Sequence, residues 1–245
     1  MRLVLTLHTD TTTIILREYI RNFIYDTIRT SKWNFYHDKP KYKHINYSNL
    51  FPFDKSGNLG SEFTLIISSP YDDLILHIEK NIGTEISLGN NKIQVLKRKI
   101  LPNLTKIQKV QTATPMIARL PIHLYEKYRI DSKKESTFWT EKEVFNAFVD
   151  LVQQNTLRKF EDFKQESKML GYRFKLENYE LPLNIFSYYK YKKTVYGWDK
   201  HFKGTMWEFG INEEYQSSDI VKFLYNDGIG ERNISSGSGF LNIVS

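Results

Sequence analysis

The chain has 245 residues, 40% hydrophobic and 26% charged, long enough for one large domain or two of ordinary size and too apolar for a disordered chain. Its 35 Lys and Arg against 28 Asp and Glu give a net charge of +7, which favours polyanions, nucleic acid above all, over acidic small molecules as partners. With no cysteine, a disulfide framework, a thiolate zinc site and a cysteine nucleophile are excluded; the opening MRLVLTLHTD carries too few apolar residues for a signal peptide or a membrane span, so an intracellular, cytoplasmic protein with no membrane partner is expected.

In chain order, RLVLTLH (2–8) reads as a strand and TDTTT as a turn that caps the next helix. In IILREYIRNFIYDTIR (14–29), Leu16, Ile20, Phe23 and Ile24 recur at helical spacing and should face a core. Residues 31–41 are polar, aromatic and proline-bearing, which predicts a loop, and YKHINYSNLF then reads as extended. EFTLIIS is strand-like, PYDDLILHIEKN a helix entered through proline, and EISLGNNKIQVLKRKI two strands around a turn. The order strand, helix, strand, strand, helix, strand is the ferredoxin-like pattern.

The second half repeats that order without a repeat in sequence. VQTATPMIARL reads as extended, residues 141–168 as helical, and RFKLENYEL, YYKYKKTVYGW and KGTMWEFGI as strands. SDIVKFLYND is a capped helix and GFLNIV a closing strand. The expectation is an α+β chain of two tandem ferredoxin-like (RRM-like) domains, 1–104 and 105–245, with the boundary near LPNLTKIQ.

GIGERNISSGSGF (228–240) lies between the last helix and the last strand. Glycine reaches positive φ without penalty, and runs of bare amides can cradle phosphate. Dinucleotide and Walker loops, however, run from strand to helix, and this loop runs from helix to strand with no Gly-Lys-Ser or Gly-Lys-Thr. Arg232 makes it basic, which suits a polynucleotide backbone; the same glycines would also serve a turn that caps the helix.

This loop resembles the C-terminal glycine-rich loop of the CRISPR repeat-processing endoribonucleases, within the repeat-associated RNA-binding superfamily. FIYDTIR followed by FYHDKPKYKHINYSNLF is similar to that family's helix, histidine-bearing loop and strand, and VQTATPMIA to the motif that opens its second domain. A departure is Gly-Ser-Gly-Phe where the family often has Gly-Phe-Gly. The resemblance implies two ferredoxin-like domains and cleavage of CRISPR precursor RNA within its repeats without metal or other cofactor. The 2′-hydroxyl would attack, leaving 2′,3′-cyclic phosphate and 5′-hydroxyl ends. It implies precursor and mature crRNA as partners, with other effector subunits or a second copy of the chain beside them. The competing function is a guide-RNA-binding subunit that does not cut.

That chemistry needs a proton taken from the 2′-oxygen, a proton given to the 5′-oxygen, and charge stabilised between them. His37, in FYHDKPK beside Asp38, Lys39 and Lys41, carries an imidazole, the side chain commonly used to take or give a proton, and matches the family's histidine position. Tyr25 lies on the polar side of the first helix, near Arg21, Asn22 and Arg29, where burial does not explain it; it would hydrogen-bond at the scissile phosphate. Lys43 matches a family lysine and would stabilise charge, with Lys41 as its rival. His44 competes with His37 and could line the RNA path, whereas Tyr47 is expected in the core. The RNA grip is expected from Gly228, Gly230, Arg232, Gly237 and Gly239, with Lys41, His44 and Lys192, Lys193 and Lys203 of the Lys/Tyr-rich segment. Asp72 and Asp73 are adjacent rather than convergent and the histidines are scattered, so no metal site is expected.

Overall fold

The computed structural model describes residues 1–10, 17–40, 42–53, 59–130, 136–141, 143–196, 203–231, 233 and 237–244. The chain divides into two compact units, Met1–Asn103 with Asn233–Gly237, and Leu104–Arg232 with Ser238–Ser245.

In the first unit, β1 (Arg2–His8) sits at the centre of an antiparallel sheet between β4 (Leu59–Ser68) and β6 (Asn91–Leu101). Beyond β4 lie β2 (Asn46–Tyr47) and β3 (Phe51–Phe53), and β5 (Glu85–Leu88) pairs with β6. Counting β2 and β3 as one strand and β5 and β6 as another, the spatial order is 4-1-3-2. That is the ferredoxin-like arrangement in which the edge-forming second and fourth strands flank an antiparallel central pair. Alternation does the folding: Leu3, Leu5 and Leu7 are fully buried with Phe63, Leu65 and Ile67 of β4, while the intervening residues face outward. Helices α1 (Arg17–Ile28) and α2 (Asp72–Asn81) cover the apolar face with Ile20, Phe23, Ile24 and Ile28, and with Leu74, Ile75 and Ile78. The predicted stripe is thus the core face of α1; its first member, Leu16, and the predicted cap TDTTT from Thr11 onward lie outside the described residues.

In the second unit β7 (Lys109–Thr112), β10 (Phe186–Tyr196), β11 (Lys203–Ile211) and β12 (Leu241–Ile243) form a sheet in the order β10-β11-β7-β12, again 2-3-1-4 in chain terms. The 25-residue α4 (Phe145–Met169) and α5 (Asp219–Asp227) are its two helices. Phe148 of α4 stacks on Trp207 of β11 at 4.3 Å and 14°, and Trp139 closes on the same indole at 5.3 Å. Between β7 and α4 the chain inserts β8 (Arg119–Pro121), α3 (Ile122–Tyr128) and β9 (Ser136–Phe138), a helix and strand pair that the sequence reading passes over.

One predicted strand is absent: RFKLENYEL has no ladder partner among the described residues and runs irregularly after α4. Its alternation imitates a strand, but Phe174 packs on Phe163 of the helix rather than on a sheet. The predicted cap of α5 also differs. Ser218 occupies the N-cap position, yet its hydroxyl donates backward to the Tyr215 carbonyl at 2.7 Å and caps nothing.

Candidate active site

The segment predicted as a loop after α1 is ordered by its aromatics. Trp33 and Tyr36 are buried, Trp33 against Tyr71 at 4.8 Å and against Tyr36 at 5.6 Å. They bracket a one-turn 3-10 helix, Asn34–Tyr36, whose end is fixed by the His37 amide donating to the Asn34 carbonyl at 3.0 Å. Ser31 steadies the entry, its hydroxyl donating to the Ile28 carbonyl and accepting the Trp33 amide. The buried rings therefore act as anchors, and His37, the next residue, is held out in solvent with 68% of its side chain exposed.

His37, Tyr25 and Lys43 come together. The His37 ring meets the Tyr25 ring edge-on, centroids 5.7 Å apart. The Lys43 ammonium donates to the Tyr25 hydroxyl oxygen at 3.0 Å and to the His37 carbonyl at 3.1 Å, and lies 5.0 Å from the tyrosine ring centre. One lysine thus ties helix α1 to the histidine loop. Because an ammonium has donors and no acceptor, the Tyr25 oxygen must accept here, which leaves its own proton to be donated elsewhere. The His37 Nδ1 is 2.7 Å from an Asp38 carboxylate oxygen. A carboxylate accepts, so Nδ1 carries the hydrogen in the neutral ring and the Nε2 lone pair faces away as the available base. Asp38 figures in the sequence only as a neighbour of His37; a carboxylate adjacent to a loop histidine is the signal for this orienting role.

A phosphodiester laid across this cluster would meet a proton acceptor, a phenolic donor and a cation, the parts that acid–base cleavage through an internal hydroxyl requires.

Several sequence expectations are corrected. His44 is fully buried, its ring 6.2 Å from that of Tyr71 and its carbonyl accepting the Ser69 hydroxyl at 2.6 Å. A ring closed to solvent cannot line an RNA path. Alternation misled here because Asn46–Tyr47 is a two-residue strand with both faces covered, so His44, Ile45, Asn46 and Tyr47 are all buried. Tyr47 is core as expected; burial pushes its phenol well above the ordinary range, so it stays neutral, and it donates to the Arg17 carbonyl at 3.0 Å.

The glycine loop is the larger correction. Gly228, Gly230, Gly237 and Gly239 are buried. Amides around them are taken by the protein: Gly228 donates to Leu224, Ile229 to Gly239, Glu231 to Ile117, Gly239 to Pro115 and Phe240 to the Thr114 hydroxyl, all at 2.8–3.0 Å. Gly237 lies in the first unit against the Tyr47 ring. At Gly239 (φ 64°) a Cβ would stand 1.7 Å from the Ile229 carbonyl oxygen, so no other residue fits there. Of the four, the amides of Gly228 and Gly239 are consumed by the chain itself. Arg232 and Lys41 lie outside the described residues.

On the β10–β11 hairpin, Lys193 is exposed and Lys203 half-buried. Lys192 is ion-paired with Glu208 at 2.6 Å, and Tyr188 donates to the other oxygen of that carboxylate at 3.0 Å. These hydrogen bonds, Lys192 first, hold Glu208 below the usual carboxylate range. A register shift between Tyr191 and Lys193 leaves both Lys192 and Lys193 exposed.

Residues 102–243 match the model of the family described as CRISPR associated protein Cas6, C-terminal. The chain is 25% identical over 240 residues to a CRISPR-associated endoribonuclease Cas6 2 of Methanocaldococcus jannaschii, covering 94% of this chain and 92% of the relative. It is 24% identical over 247 residues to a CRISPR-associated endoribonuclease Cas6 of Haloferax mediterranei, covering 92% and 86%. Among solved structures, a CRISPR associated protein Cas6 superposes with a TM-score of 0.64 at 20% identity over 100% of this chain and 99% of its own. The product of a Cas6-related gene from Pyrococcus furiosus gives 0.66 at 15% identity over 100% and 98%. The family model spans more than half of the sequence, and the tandem ferredoxin-like topology accords with it: the chain belongs to the Cas6 family of CRISPR-associated proteins.

Proposed function

We propose that the chain is an endoribonuclease that cuts CRISPR precursor RNA within its repeats, without a metal, by attack of the 2′-hydroxyl on the adjoining phosphorus. The Nε2 of His37, oriented by Asp38, exchanges the proton of the reaction. The Tyr25 hydroxyl donates to a non-bridging oxygen of the scissile phosphate, and the Lys43 ammonium offsets the charge that builds on the phosphorane. The bond to the 5′-oxygen breaks, that oxygen leaves protonated, and the products carry 2′,3′-cyclic phosphate and 5′-hydroxyl ends.

The observation that carries the reading is the convergence of His37, Tyr25 and Lys43. These are proton-transfer and charge-stabilising groups, and the relatives named above are endoribonucleases. The exposed lysines of the β10–β11 hairpin, Lys193 foremost, hold the RNA, and chemistry and grip divide between the residues before and after the 104/105 boundary. Further partners, other effector subunits or a second copy of the chain, are proposed from the family resemblance alone and are tested by light scattering of the RNA-bound chain.

The deciding experiment is incubation with repeat RNA in EDTA, followed by identification of the end groups. Cyclic phosphate on one product and 5′-hydroxyl on the other is the expected result. Tight binding without cutting would instead make the chain a guide-RNA-binding subunit. Undiminished cutting of a substrate with a single 2′-deoxy residue at the cut site would rule out the internal nucleophile.

A further inference from the structure

The segment that follows α4 combines stacked rings with positive charge. The helix ends in a Schellman motif: the Gly171 amide donates to the Lys168 carbonyl at 3.1 Å and the Tyr172 amide to the Ser167 carbonyl at 2.9 Å, with Gly171 at φ 80°. The motif fixes the direction in which Tyr172-Arg173-Phe174-Lys175 departs. Tyr172 and Phe174 stack on one another, centroids 5.0 Å apart and planes 9° from parallel. Phe174 stacks in turn on Phe163 at 6.0 Å, and Phe163 is part of the core. The result is a ladder of rings running from the interior to the surface, anchored at its inner end.

At the outer end the surface is apolar and cationic together. Phe174 is 46% exposed and Met169 88%, beside the exposed Lys168, Arg173 and Lys175. Among the described residues these three cations form no ion pair, and two flanking acids are engaged elsewhere, Glu161 by Lys164 and Glu177 by the Tyr179 hydroxyl. A stretch of eight residues, 168–175, therefore carries three positive charges, no negative one and a solvent-facing ring stack. An isolated structural turn needs neither the exposed rings nor the unneutralised charge.

We infer that Tyr172, Arg173, Phe174 and Lys175 form a stacking platform for single-stranded RNA, a subsite for the unpaired part of the transcript. A base extends the ladder of rings, and Arg173, Lys175 and Lys168 meet phosphates. Every base has a π face, so such a platform is tolerant of sequence and sensitive to salt. The inference rests on RNA being the substrate, but it is read by binding and not by cleavage, so the two fail separately.

The test uses the full chain and a short fluorescently labelled single-stranded adenylate RNA, with Kd measured at several salt concentrations. Phe174→Ala should weaken binding about tenfold or more, the size of one lost base stack. That change also uncovers Phe163, so a second variant, Arg173→Glu with Lys175→Glu, leaves the rings in place; it should weaken binding at least as much and flatten the salt dependence. Unchanged affinity in the charge-reversed chain, whether because the face is idle or because it serves a protein, overturns the inference, as does failure of the wild-type chain to bind the oligonucleotide.

Discussion

At the scale of single residues, the side chains around His37 have distinct and separable tasks. His37 is exposed and makes no packing contribution that its loss would forfeit, since Trp33 and Tyr36 carry the burial of that loop. His37→Ala should therefore keep RNA affinity and thermal stability while single-turnover cleavage falls by about 10²–10⁴-fold, the usual worth of a positioned proton-transfer group. Tyr25 accepts from Lys43, so Tyr25→Phe removes both a donor to the phosphate and the acceptor that holds the lysine. Double-mutant kinetics should show Tyr25→Phe and Lys43→Met costing less together than the sum of the two alone; strict additivity would mean that the two side chains act independently. Gly239 sits at the opposite extreme. Gly239→Ala should lower the melting temperature, at a cost of roughly 2 kcal/mol or more, because it combines a positive φ with a backbone collision.

At the scale of elements, α4 and α5 are joined by a buried ion pair, Lys159 to Asp227 at 2.5 Å, with both side chains almost wholly enclosed. The same ammonium donates to the Gly228 carbonyl at 2.7 Å, at the C-terminal end of α5 where a cation complements the helix dipole. Lys159→Met alone strands a buried carboxylate and should cost about 3–5 kcal/mol, whereas pairing it with Asp227→Leu should recover most of that loss, since a well-packed apolar pair replaces a buried ion pair at little cost. Thermal melts of the three chains read this directly. The β10–β11 hairpin gives a contrast of another kind. Lys192 is already neutralised by Glu208 and Lys193 is not. If the hairpin meets the RNA backbone, Lys193→Ala should reduce the slope of log K against log salt by about 0.7, the single-strand value per phosphate, and Lys192→Ala by distinctly less.

Much at this scale is legible in sequence, and the failures share a cause. β1 falls on the residues that periodicity assigns, because it has one buried face and alternation records it; β11 falls on its predicted residues although Trp207–Ile211 are all buried. The same rule fails where both faces are covered, as at His44–Tyr47, and where an alternating run packs on a helix instead of a sheet, as at 173–181. His37, Tyr25 and Lys43, singled out by resemblance and by the polar placement of Tyr25, do come together in the structure; the contact of Asp38 with the His37 ring is not read from sequence because a flanking acid looks like ordinary loop charge. The glycine loop is ambiguous in sequence for a physical reason: exposed amides awaiting a phosphate and amides consumed by the chain itself demand the same glycines.

At the scale of the whole molecule, the net charge of +7 predicts attraction to any RNA. Binding of non-repeat RNA should fall steeply with ionic strength, whereas cutting, which in the proposed chemistry requires a 2′-oxygen placed against His37, should stay confined to repeats. Comparable cleavage of unrelated RNA at moderate salt would contradict this division. Among the described residues, no helix is long and apolar enough to cross a membrane. Each of the two ferredoxin-like units closes around its own aromatic and aliphatic core.

The residues proposed to carry the chemistry all belong to the first unit, and Tyr25 and Lys43 stand only 18 positions apart along the chain. Little else in the molecule leans on the His37 imidazole. A lineage that needed a holder of guide RNA instead of a cutter could therefore reach it in one substitution, with architecture and affinity intact, and silent descendants of such an enzyme should differ from it first at that ring.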